Sequence, residues 1–252
     1  MSAMARRVLW FATAYTIVII VHEAAHAITA YGLGLEATLF NFWVNIDPAH
    51  RSTIGQRAAY GVAGPIAALV VGVVSWLAYR RVATSAAAIP LLYLAAHGVS
   101  NFVGNLMSTA FVGDFSNVAL WLGVPMDVRY AVSATGALAT ATVLFVTGRE
   151  LRLRTPPQAN RAVAAFGYTL LPAAIGTALI ILVNQPTPLP GFSMARIGEG
   201  AFWIFAAAGA LKAQPPSTQN ASERRALWQD VAVAVLVIAA VRVMIIGVPL
   251  NP

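Results

Sequence analysis

From Val8 to Ala30 the chain is apolar apart from scattered Thr and Tyr, and only His22, Glu23 and His26 interrupt it with ionisable side chains. A run of this length reads as a helix crossing a bilayer. An ionised glutamate deep in such a helix costs on the order of 3 kcal/mol on insertion scales, so it needs a partner or a water-filled cavity. The three residues form an HExxH pattern. Four apart on a helix, His22 and His26 project from one face about one turn apart. That spacing lets both rings hold one zinc ion, with Glu23 close enough to act on a water there. Short motifs match by chance in soluble chains; in an apolar span, where His and Glu are rare, chance is the weaker explanation.

The rest of the chain belongs to the same class. Its 252 residues are 59% hydrophobic and 10% charged, with mean hydropathy +0.72, where a soluble domain carries about a quarter charged residues. The expectation is an integral, multi-pass membrane protein, in a cell membrane, of all-α class with six to seven transmembrane helices and a short β element after the first. No polar stretch is long enough for a second domain, so 1–252 reads as one membrane-embedded unit. The first run is read as a retained span rather than a signal peptide, because it is too long and carries the motif. Cysteine is absent, so a metal must be held by His and carboxylate. The net charge of +7 comes from arginines that flank apolar spans, which suits anionic lipid headgroups rather than nucleic acid.

Spans are expected near 8–30, 58–79, 86–111, 129–148, 163–184, 197–212 and 228–249, the sixth being the least regular because Glu199 lies near its start. With seven spans and a cytoplasmic N-terminus, Arg6, Arg7, Arg80, Arg81, Arg149, Arg152, Arg154, Arg161, Lys212, Arg224 and Arg225 fall inside. Arg51, Arg57, Arg129 and Arg196 fall outside. That eleven-to-four asymmetry is the positive-inside bias. Between the first two spans, Thr38 to Ile46 alternates in period two and is rich in β-formers. It reads as one strand, or part of a hairpin, that Asp47-Pro48 ends. An exposed edge there would accept an unwound segment of another chain by strand addition. In the second span Gly64, Ala68 and Gly72 recur every four residues, which allows close helix contact. In the third, His97, Asn101, Asn105 and Ser108 make a polar stripe that must face the bundle interior or a cavity, and Gly113-Asp114 follows. A two-His site needs a third ligand, and Asp114 is the first candidate; His50 and His97 are alternatives.

His22-Glu23-xx-His26 in a first span, Ala63-Gly64-Pro65 opening the second, and Asn105 upstream of Asp114 resemble the site-2 protease family of intramembrane zinc metalloproteases. The resemblance covers about residues 8–115, the expected metalloprotease core. The further helices at about 129–249 carry nothing that matches. It implies zinc held by His22, His26 and Asp114, and Glu23 as general base. Asn105, with Asn101 a second candidate, would stabilise the oxyanion or fix the substrate backbone. The partners it implies are a transmembrane protein substrate and the lipid bilayer. Two departures stand out: the family's Asn-x-x-Pro leading to Asp-Gly is here Gly113-Asp114 without the proline, and no long insertion follows the second span. Family members also place the site toward the cytoplasm, whereas the charge asymmetry puts it toward the outer face, so sidedness stays open. Two other classes remain: a metal-binding or metal-transporting membrane protein, and a catalytically silent relative that acts as a binding partner.

Overall fold

The computed structural model describes residues 3–46, 52–82, 87–155, 159–185, 192–214 and 227–251. The apolar run with the histidines is α1, Ala3–Gly32. Strands β1 (Ala37–Leu39) and β2 (Val44–Ile46) follow. Helix α2 (Ile54–Arg81) starts at a capping box in which Thr53 and Gln56 satisfy each other's backbone donors. Then come α3 (Ala88–Met107), α4 (Asp114–Trp121) and α5 (Met126–Arg152). A long helical stretch is made of α6 (Arg161–Ala165), a π turn at Phe166–Leu170 and α7 (Leu171–Val183). The described chain closes with α8 (Phe192–Ala201), α9 (Ile204–Lys212), α10 (Leu227–Ile246) and β3 (Val248–Leu250).

Among the described residues, five helical stretches are long and apolar enough to cross a bilayer: Met4–Gly32, Ile54–Arg81, Met126–Arg152, Arg161–Val183 and Gln229–Ile246. Their outer faces are apolar as well as their cores. Val70, Val74 and Leu77 on α2 are 55–59% exposed, and Leu138 on α5 is 71% exposed. Water does not favour apolar stripes of that kind, and lipid does. The architecture fits an all-α membrane protein with one small sheet.

Two expected spans take another form. The third is shorter than 86–111, because α3 stops at Met107, and its polar stripe dilutes its hydropathy. The segment 197–212 is divided into α8 and α9. Trp203, 4% exposed, turns inward at the break and packs against Phe11 at 4.9 Å between ring centres. The π turn has a local cause: Pro172 has no N–H to donate to the Tyr168 carbonyl. Arg7 Nη1 takes that carbonyl at 3.0 Å instead.

The period-two segment takes the hairpin form. The chain reverses between Phe40 and Trp43, where the Phe40 N–H donates to the Trp43 carbonyl (2.9 Å) and the two rings stack at 4.3 Å. Asn41 turns inward and donates from Nδ2 to Asn184 Oδ1 at 2.9 Å, which fastens the hairpin to the end of α7. The sheet order is β2-β1-β3, so the C-terminal strand, read from sequence as the end of a span, flanks β1 on its other side. The expected stop at Asp47-Pro48 lies outside the described residues, as does His50. Glycines set the helix crossings. A methylene added at Gly72 would lie 2.5 Å from the Val99 backbone nitrogen, so α2 and α3 touch main chain to main chain.

Candidate metal centre

His22 and His26 sit in the C-terminal half of α1, 5% and 6% exposed. Asp114 is the first residue of α4, beyond the end of α3 rather than on it. The turn that carries it depends on Gly113, whose φ of +101° with ψ −174° is a glycine conformation. The Asn105 side-chain oxygen accepts the Asp114 N–H at 3.2 Å, and Asn105 Nδ2 donates to the Asn101 carbonyl at 3.1 Å. Gly113 followed by Asp114 thus delivers a carboxylate to the two imidazoles.

The three groups meet tightly. His22 Nε2 lies 3.0 Å from His26 Nε2 and 3.0 Å from Asp114 Oδ2, and His26 Nε2 lies 3.5 Å from the same oxygen. Ligand atoms about 2.0–2.1 Å from a tetrahedral zinc stand about 3.3 Å apart, which these separations bracket. The outer ring nitrogens are engaged too: His26 Nδ1 at 2.5 Å from the Tyr60 carbonyl, His22 Nδ1 at 2.8 Å from Asn101 Oδ1. An oxygen acceptor on Nδ1 puts the proton there and leaves an Nε2 lone pair facing inward, the arrangement of a metal-ligating histidine. Two inward lone pairs and a carboxylate repel one another unless a cation stands among them. The three residues can therefore hold a metal ion.

Helix α2 closes the site from the other side. A methylene at Gly64 would collide with His26 Nε2 and lie 2.7 Å from His22 Nε2. The small-residue stripe thus has a second use besides packing: it lets a helix backbone approach the ligand face. Glu23 is 7% exposed and lines the same cavity, but stands outside the ligand group. One residue on from His22, it is rotated by about 100° around the helix. The cavity measures about 670 Å³ and also reaches Val44, Tyr15, His97, Arg196 and Glu199.

His97 does not join the ligands. Its ring is 6% exposed and sits edge-on to Phe11 at 4.7 Å and to Tyr15 at 5.4 Å. Asn101 and Asn105, expected near a reacting carbonyl, bond to the His22 ring and to the Asp114 N–H. Sequence reasoning missed three contributors. Tyr60 acts through its backbone, which leaves no mark in a sequence. Arg129, counted as a loop charge, is 9% exposed and bonded inside the fold. Arg196 lies over the Tyr15 and Phe42 rings and pairs with Glu199 at 2.9 Å in the cavity wall. No family model, curated protein or solved structure matches the chain.

Proposed function

We propose that the protein is a zinc endopeptidase of the site-2 protease kind, cutting substrate segments within or near the bilayer. The observation that carries the reading is the ligand group itself: His22 Nε2, His26 Nε2 and Asp114 Oδ2 within 4.8 Å of one another, beside a buried glutamate that lines the same cavity. His22, His26 and Asp114 would hold the zinc, which would supply Lewis-acid chemistry toward the peptide carbonyl and an attacking water. Glu23 takes the proton from the attacking water at its carboxylate and later gives it to the leaving amine. Asn101 and Asn105 keep His22 and Asp114 oriented through the cycle. The apolar walls of the cavity limit competing water.

A strand edge with no neighbouring strand among the described residues supports the substrate side of this reading. Phe40 and Trp43 are a hydrogen-bonded pair, so alternation makes Thr38 and Asn45 the next one and turns the N–H and C=O of Val44 outward. Val44 also lines the cavity. On the opposite edge Pro249, at a non-bonded position against Thr38, has no N–H to offer. An unwound substrate segment would therefore add along β2. A metal passage is the second reading, since Glu199 and His97 share the cavity. Against it, Glu199 is already held by Arg196 and by the Tyr15 hydroxyl, which donates at 3.1 Å.

Zinc analysis of the purified protein tests the proposal. About one zinc per chain is expected, lost in His22→Ala and His26→Ala and weakened in Asp114→Ala. Full zinc in Asp114→Ala together with loss in His97→Ala would overturn the third-ligand assignment.

A further inference from the structure

We infer that Arg129 is a positioning residue for the metal centre, holding the 109–116 turn in the shape that delivers Asp114 to His22 and His26. The inference rests on reading those three residues as a metal site.

Arg129 stands in the first turn of α5 and is 9% exposed. Its Nε donates to the Thr109 carbonyl at 3.1 Å, just past the end of α3. Its Nη2 donates to Ser116 Oγ at 2.9 Å, in the first turn of α4. One guanidinium therefore bridges the two ends of the turn whose middle holds Gly113 and Asp114. One helical turn further along α5, Ser133 Oγ accepts the Ala110 N–H at 2.9 Å. At Gly136, α5 comes so close that a side chain there would strike the Met107 backbone. Arg129, Ser133 and Gly136 fall at i, i+4 and i+7, so one face of α5 acts as a template for the turn.

The turn needs that template. Within the turn Phe111 and Val112 are 69% and 71% exposed, so little protein packs on them. Gly113 supplies freedom rather than stiffness. Arginine suits the task because its fork carries donors on separate nitrogens in fixed directions, whereas a lysine ammonium is a single point. Among the described residues no carboxylate pairs with Arg129 within ion-pair distance. A buried cation held only by a carbonyl and a hydroxyl is a costly element. Neighbours that hold a metal ligand in place typically change metal affinity ten- to a hundredfold when removed.

The experiment uses full-length protein in detergent, stripped of metal and titrated with Zn²⁺ against a chromophoric chelator, with Co²⁺ absorption as a report on ligand geometry. Arg129→Met and Arg129→Lys should bind Zn²⁺ at least about tenfold more weakly than the wild type and alter the Co²⁺ spectrum. Arg152→Met is the control. Arg152, 2% exposed, is also buried, at the other end of α5, and donates to Thr155 Oγ1 (2.7 Å) and the Ala159 carbonyl (2.9 Å). It should lower the melting temperature while leaving Zn²⁺ affinity within twofold. Wild-type affinity in Arg129→Met, or equal weakening in Arg152→Met, would overturn the inference. Should Arg129→Met fail to fold, Arg129→Lys decides on the same criterion. A wild type that binds no Zn²⁺ defeats the metal reading itself, and this inference with it.

Discussion

His22 and His26 are held by different kinds of partner, and the difference makes a prediction. His22 depends on the Asn101 side chain, His26 on the Tyr60 main chain. Asn101→Leu should therefore weaken zinc binding by about ten- to a hundredfold, while Tyr60→Phe should leave it unchanged, both read by chelator competition. Equal losses in the two variants would contradict the assignment. Gly64→Ala should be as damaging as losing a ligand, because the methyl occupies the space of the His26 ring. At this scale the sequence was informative wherever chemistry is carried by side chains at helical spacing. HExxH and the polar stripe of α3 identified the histidines and Asn101, and Asp114 followed from the need for a third donor. What Asn101 and Asn105 do was not legible, since their partners lie on α1 and at the start of α4. A backbone acceptor such as Tyr60 has no sequence signature.

The hairpin shows what alternation alone can tell. Period two marked the segment as β, but the reversal at Asn41-Phe42 depends on Asn41 finding Asn184, 143 residues away. The third strand was hidden for a similar reason. Val248–Leu250 reads as the tail of an apolar span until Thr38 stands opposite Pro249. A consequence for substrate capture follows. Val44→Pro tests the strand edge, because it removes an outward N–H and leaves the Thr38–Asn45 pair intact. Cleavage of a transmembrane substrate should slow in Val44→Pro at unchanged zinc content. Cleavage at the wild-type rate would mean that this edge does not bind substrate. The break between α8 and α9 was equally invisible, since Trp203 reads as one more apolar residue in a span until its contact with Phe11 is known.

Across the whole molecule, polar groups gather at two ends. The His22, His26 and Asp114 side chains, the sheet and the ends of α1 and α7 lie together; there Arg242 in α10 reaches the Gln185 carbonyl at 2.8 Å. At the other end, Arg6 pairs with the buried Asp230 at 2.9 Å, and the Tyr79 hydroxyl donates to Glu150 at 2.6 Å. Most of the sequence's cations belong to that second end, so the charge asymmetry predicts that it is cytoplasmic. Reporter fusions after Arg81 and Arg154 should read cytoplasmic; lumenal or periplasmic signals at both would reverse the orientation. Helical class and membrane character were legible from composition, because apolar surface has to face either a core or lipid. The bounds of the third span were less legible, because the helix that carries the polar stripe dilutes its own hydropathy with His97, Asn101 and Asn105.

The measurement that bears most directly on the proposed peptidase is turnover in Glu23→Gln at matched zinc content. Glutamine keeps the size and a hydrogen-bonding end but cannot take a proton. Reconstituted in lipid with a transmembrane substrate, the variant should fold, retain its zinc and bind substrate. It should cleave at least about a hundredfold more slowly, the low end for losing acid–base catalysis. A transporter or a silent binding protein would show no such separation of binding from turnover. Near-normal proteolysis by zinc-replete Glu23→Gln protein would contradict the account.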